Sequence, residues 1–147
     1  MKKHWKLLLL CVAIATIMCA LCFSLNAENY SGTCGGEGDG SNIKWSFDTD
    51  TGLLKFEGTG KMANYGPDGA FPSPWYFNYT NNIRSVEIGE GITSIGSCAF
   101  YRCVNLASAV IPEGVTTLGD SAFSNCQNLK EIYIPSTVEK IGTRTFS

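Results

Sequence analysis

Residues 85–107, 108–130 and 131–147 are three copies of one pattern, offset by 23 residues without insertion or deletion, the third copy incomplete. The offset carries Ile88 onto Ile111 and Ile134, Ile92 onto Val115 and Val138, and Ile95 onto Leu118 and Ile141. It also carries Gly96 onto Gly119 and Gly142, Phe100 onto Phe123 and Phe146, Cys103 onto Cys126, and Leu106 onto Leu129. A fixed period of this length marks a stacked array. One such unit cannot bury its apolar face alone, so its neighbours must cover it. Arrays of this kind usually offer surface rather than chemistry.

Each repeat can be read residue by residue. Ala109 and Ile111, like Ile132 and Ile134, are two apart and point to one side of a strand, inward. Pro112 and Pro135 end those strands, since proline cannot donate to a ladder. Gly96, Gly119 and Gly142 are expected to supply a turn that a side chain would strain. Residues 98–103 and 121–126 place Phe and Cys three apart, the spacing of a single helical or 3₁₀ turn. Phe100, Phe123 and Phe146 should then stack as an aromatic spine. Asn105 and Asn128 should form a hydrogen-bonded ladder at the bend. The expected fold is a mainly β solenoid with short helical or 3₁₀ turns.

The first residues stand apart from this fold. Residues 1–6 carry three lysines, and residues 7–25 are an apolar run interrupted only by Thr16 and Ser24. With Ala27 as a small residue for cleavage, residues 1–27 have the layout of a secretory signal peptide. The apolar run of 19 residues is also long enough to span a bilayer, so an uncleaved anchor is the competing reading. Cys11, Cys19 and Cys22 do not follow the small residues that lipid attachment needs. Removing Lys2, Lys3 and Lys6 from the 11 basic residues leaves eight against 13 acidic ones, a net side-chain charge near −5. An acidic surface repels phosphate backbones, which argues against nucleic acid as a partner. The single histidine, His4, is lost with the signal.

Residues 28–84 form the lead-in. Its start, residues 30–42, is glycine-rich and reads as loop. Residues 43–47 and 54–56 alternate apolar and polar around the turn-rich residues 48–52, a β-hairpin signature. A Pro/Gly-rich loop over residues 64–74 is followed by aromatics at 75–79. We expect a small β cap in which Trp45, Phe47, Leu54, Phe56 and Trp75 cover the first coil. The boundary with the array falls near residues 81–84, with one core shared across it. Of the cysteines outside the signal, Cys103 and Cys126 read as stacked core thiols. A bridge between them is the alternative, open to an exported protein. Cys98 is expected to be exposed or half exposed.

One repeat runs Ile88-x-x-x-Ile92-x-x-Ile95-Gly96-x-x-Ala99-Phe100-x-x-Cys103. The next runs Ile111-Pro112-x-x-Val115-x-x-Leu118-Gly119-x-x-Ala122-Phe123-x-x-Cys126. These resemble the BspA-like leucine-rich repeat family. SGTCG at 31–35, W-x-F-D-x-x-T-G at 45–52 and SPWY at 73–76 resemble the lead-in often found before such arrays. The first repeat departs in having Gly89 in place of the proline and Cys98 at an atypical position. The resemblance implies an exported or surface-displayed protein that binds host proteins or other cells.

No motif for chemistry emerges. Without histidine there is no Ser/His or Cys/His nucleophile pair and no histidine-bearing zinc site. The cysteines lack the paired C-x-x-C spacing of structural zinc. Asp48-x-Asp50-x-Gly52 lacks the further ligands calcium needs and reads as a hairpin turn. The glycine-rich residues 30–40 are followed by no Gly-Lys-Ser/Thr, so they are not a phosphate loop. The sequence therefore assigns no catalytic residue, cofactor or metal. Binding is expected on the strand face, where Ser85, Ser108 and Glu131 form one outward column and Glu87, Val110 and Tyr133 the other. The expected function is noncovalent protein or cell-surface binding, hence adhesion or host interaction. The alternatives are the targeting region of a larger exported enzyme, or a spacer in the cell envelope. Asn29-Tyr30-Ser31 and Asn78-Tyr79-Thr80 are glycosylation sequons, meaningful only in a eukaryotic export route. The third repeat stops after its Phe position, which leads us to expect an array that continues and self-association of residues 28–147.

Overall fold

The computed structural model describes residues 29–67 and 71–147. The signal segment expected over residues 1–27 lies outside them. Two sheets run the length of the molecule. The larger has six strands in the order β1 (Asn29–Thr33), β2 (Ile43–Asp48), β3 (Leu53–Gly58), β5 (Ser85–Ile88), β7 (Ser108–Val110) and β9 (Glu131–Tyr133). The smaller contains β4 (Gly60–Lys61), β6 (Ile92–Ile95), β8 (Thr117–Leu118) and β10 (Lys140–Ile141). Each repeat gives one strand to each sheet. Ser85 pairs with Ser108, Ser108 with Glu131, and Leu118 with Ile141, all parallel and one period apart. Coils stacked in this register make a solenoid of mainly β character, as the period requires.

The lead-in joins this sheet directly. β2 and β3 form the expected hairpin, Trp45 opposite Phe56 and Phe47 opposite Leu54. Its turn is closed by Asp48, whose Oδ1 accepts the amides of Asp50 at 2.9 Å and Thr51 at 3.1 Å. β3 then pairs parallel with β5, Leu53 beside Ser85 and Phe56 beside Ile88, and Gly60 pairs with Ile92 in the second sheet. The hairpin's second strand is thus the strand of a preceding coil. The sequence reading of residues 30–42 as loop needs one correction. Residues 29–33 form β1, antiparallel to β2 with Ser31 opposite Ser46, because an edge strand is held by backbone pairing and needs no apolar alternation.

One continuous core runs through lead-in and repeats. Trp45, Phe47, Leu54, Phe56 and Trp75 are all buried in it, together with Ile88, Ile92, Ile95, Leu106, Ile111, Val115 and Leu118. The aromatic spine is present: Phe100 and Phe123 stack with ring centroids 4.9 Å apart, and Phe123 and Phe146 with centroids 5.9 Å apart. Trp75 extends it, stacked on Phe100 at 6.4 Å, with its Nε1 donating to the Ala99 carbonyl at 2.7 Å. Trp75 lies just before the short helix α1 (Tyr76–Tyr79). The asparagine ladder is also present. Asn105 Nδ2 donates to the Asn81 carbonyl at 2.7 Å, and Asn128 Nδ2 to Val104 O at 2.8 Å and Asn105 Oδ1 at 3.3 Å.

Two local expectations are overturned. Gly96, Gly119 and Gly142 do not have positive φ; they are glycine because the preceding coil's backbone lies against them. A Cβ on Gly96 would meet Ala63 O, and one on Gly119 would meet Ser97 N. The left-handed backbone comes two residues later, at Cys98, Ser121 and Arg144 (φ 53, 54 and 54°), and again at Arg102 and Asn125 (φ 61 and 60°). Cys98 is buried, not exposed, because that turn points its side chain toward the next coil, with Sγ 3.9 Å from Asp120 O. Cys34, Cys103 and Cys126 are free thiols. Burial pushes the Cys34 and Cys126 thiols up to about 12 and the Cys103 thiol well above its ordinary value.

A candidate binding face on the larger sheet

Alternation within each strand decides which side chains leave the core. In β7 Ala109 is buried while Ser108 and Val110 are exposed; in β9 Glu131 and Tyr133 are exposed around half-buried Ile132. Parallel in-register stacking then turns these residues into rows across the sheet. One row runs Leu53, Ser85, Ser108, Glu131. The other contains Lys55 beside Glu87, and Val110 beside Tyr133. The six residues named from sequence, Ser85, Glu87, Ser108, Val110, Glu131 and Tyr133, therefore share one face of one sheet. Ser85 is half-buried and the other five are exposed.

The two ends of the face differ chemically. Toward the lead-in, Lys55 Nζ lies 3.1 Å from Glu57 and 3.2 Å from Glu87, and the hydrogen bonds it donates to Glu57 and then Glu87 hold its ammonium above the ordinary lysine value. This end is a solvated charge cluster, of little weight as an energetic anchor. Toward the last coil, Val110 is 62% and Tyr133 55% exposed, side by side. The Tyr133 hydroxyl donates to Glu113 Oε1 at 3.2 Å, which fixes the ring over the sheet.

Lys55, Glu57 and Glu113 are members of this face that the repeat pattern did not identify. Lys55 and Glu57 lie before the first repeat, and only the parallel junction of β3 with β5 brings them in. Glu113 lies in the turn after β7, where no strand alternation applies. Among the described residues, no group of three or more His, Cys, Asp or Glu could hold a metal ion, and no helix is long and apolar enough to cross a membrane.

Rows of exposed residues on a stacked parallel sheet, carried by coils of leucine-rich pattern, define a leucine-rich repeat protein. Residues 73–147 match the BspA type leucine rich repeat region. The chain belongs to this leucine-rich repeat family. It is also similar to a solved leucine-rich repeat protein from Eubacterium ventriosum, with 33% identity and a TM-score of 0.63 over 77% of this chain. The match spans 28% of that longer protein. No curated protein matches the chain.

Proposed function

We propose that this chain is an exported or surface-displayed binding protein that engages a protein or cell-surface ligand through the outward face of its six-stranded sheet. The observation that carries the reading is the paired Val110 and Tyr133, an apolar and an aromatic side chain left exposed in adjacent coils, with the tyrosine already oriented by Glu113. Tyrosine in a fixed orientation loses little entropy on docking and is over-represented among residues that dominate interface energetics. Glu131, Ser108 and the Lys55–Glu87 cluster form a polar rim around it. Binding is noncovalent and takes no cofactor. Export rests on residues 1–27, whose basic start, apolar run and small residue at 27 fit a cleaved signal.

Immobilised chain incubated with extracellular-matrix proteins and cell-surface extracts should retain a saturable partner. Tyr133→Ala should weaken that capture at least tenfold, while Lys55→Ala changes it less than threefold. Absence of any saturable partner would leave a spacer role as the better account. Amino-terminal sequencing of protein recovered outside the cell should begin at Glu28; a start at Met1 in a membrane fraction would establish the anchor instead.

A further inference from the structure

A second surface lies on the side of the solenoid built from the turns, away from both sheets. Three successive coils line a groove of about 590 Å³ there: Tyr76, Phe77 and Asn81 from the first, Arg102 from the second, and Asn125 and Gln127 from the third. Its chemistry is unlike that of the sheet face.

Phe77 is the sharpest anomaly. It stands one period before Phe100, so the repeat register would put it in the spine, yet Trp75 occupies that place and Phe77 is 73% exposed. Its ring meets Tyr76 edge-on, with centroids 5.1 Å apart and planes at 78°. Tyr76 in turn stacks on Tyr101 at 6.3 Å, and the Arg102 guanidinium sits 5.5 Å above the Tyr101 ring. An exposed aromatic held at a right angle to a second one, beside a guanidinium braced on a third, is an ordered platform rather than a scattered surface residue.

The polar members of the groove complete the pattern. Asn81, Asn125 and Gln127 bring amides, Thr80 a hydroxyl, and no carboxylate lines it. Arg102 has no ion-pair partner among the described residues. A flat aromatic face packs on the apolar face of a sugar ring, amides and hydroxyls pair with its hydroxyl groups, and an unpaired guanidinium takes a carboxylate in a fork. Coils stacked about 4.8 Å apart repeat at close to the length of one pyranose unit.

We propose that this groove binds an oligosaccharide bearing carboxylate groups, with one sugar ring on the exposed Phe77 ring, which Tyr76 braces edge-on, and a neighbouring carboxylate on Arg102. The protein as a whole is acidic, but at physiological salt charges more than about 8 Å away are largely screened, so the local guanidinium sets the preference. This site is separate from the Val110–Tyr133 face and does not depend on it.

The test is titration calorimetry of the 147-residue chain with a galacturonic acid trimer and, in parallel, a galactose trimer. The acidic trimer should bind saturably and at least tenfold more tightly than the neutral one. Phe77→Ala, at an exposed position, should weaken both trimers at least tenfold. Arg102→Asn, which keeps a residue tolerant of the left-handed turn, should weaken only the acidic trimer and bring it level with the neutral one. Tyr133→Ala should change neither, which keeps a failure here distinct from a failure of the sheet-face reading. Absence of saturable binding to the folded chain, indifference to Phe77→Ala, or equal binding of a short polyglutamate peptide would overturn the proposal.

Discussion

Gly96, Gly119 and Gly142 look from sequence like turn glycines, and the structure gives them another reason to exist. The backbone of the previous coil occupies the space a methyl group would need, so Gly119→Ala must push two coils apart. We expect a loss of about 2–3 kcal/mol in urea unfolding. Ser121, two residues on, carries the left-handed strain instead. Ser121→Gly should relieve about 1–2 kcal/mol of that strain against about 0.5–1 kcal/mol of added chain entropy, leaving the protein no less stable. A large loss for Ser121→Gly and none for Gly119→Ala would reverse the assignment. The Cys34, Cys103 and Cys126 thiols make a pH prediction of definite sign. Their folded pKa values lie above the ordinary value of 9.0, up to about 12 for Cys34. Between those limits the fold keeps protons that the unfolded chain has released. The contribution is therefore whole below pH 9 and is lost as pH rises toward 12. Urea titrations at pH 8 and pH 10.5 should show stability falling, with Cys34→Ala showing a shallower fall than the unaltered chain.

At the scale of elements, the bend between each turn and the next strand depends on asparagine. Asn128 bonds both a backbone carbonyl of the previous coil and the side chain of Asn105, so the ladder ties neighbouring coils together as well as closing its own turn. Asn128→Ala should cost about 1–2 kcal/mol, at the modest end for two bonds because the site is solvated. Thermal unfolding of that variant checks the value, and Asn128→Asp, which cannot donate, should lose nearly as much. The short helix shows a different kind of dependence. Its four residues have no buried side chain of their own, and Trp75 beside it supplies the anchor. The repeat pattern could not identify this substitution, since Trp75 reaches the spine from outside the 23-residue register.

For the whole molecule, the terminal strands β9 and β10 leave core positions partly uncovered. Ile132, Ile134 and Val138 are only partly buried where their counterparts Ala109, Ile111 and Val115 are buried, and Ile141 and Phe146 are 53% and 44% exposed. An apolar end flanked by open strand edges is a template for pairing. Sedimentation velocity on residues 28–147 should show self-association that grows with concentration, and Ile141→Lys should reduce it. A single sharp monomer at every concentration would show that this end is adequately solvated as it stands.

The 23-residue period alone determined that Phe100, Phe123 and Phe146 would stack, that Asn105 and Asn128 would ladder, and that Val110 and Tyr133 would stand side by side. Each is a nearest-neighbour relation between identical positions, and identical positions in stacked coils must meet. The period could not reach beyond its own first copy. Leu53 pairs with Ser85 at a separation of 32 residues, so the coil before the repeats is longer than the rest and invisible to a fixed offset. β1 was hidden for a related reason: Asn-Tyr-Ser-Gly-Thr has no apolar alternation, and backbone pairing to β2 makes it a strand. Burial of Cys98 and exposure of Phe77 likewise depend on which way a turn points its side chains, and packing between coils settled that.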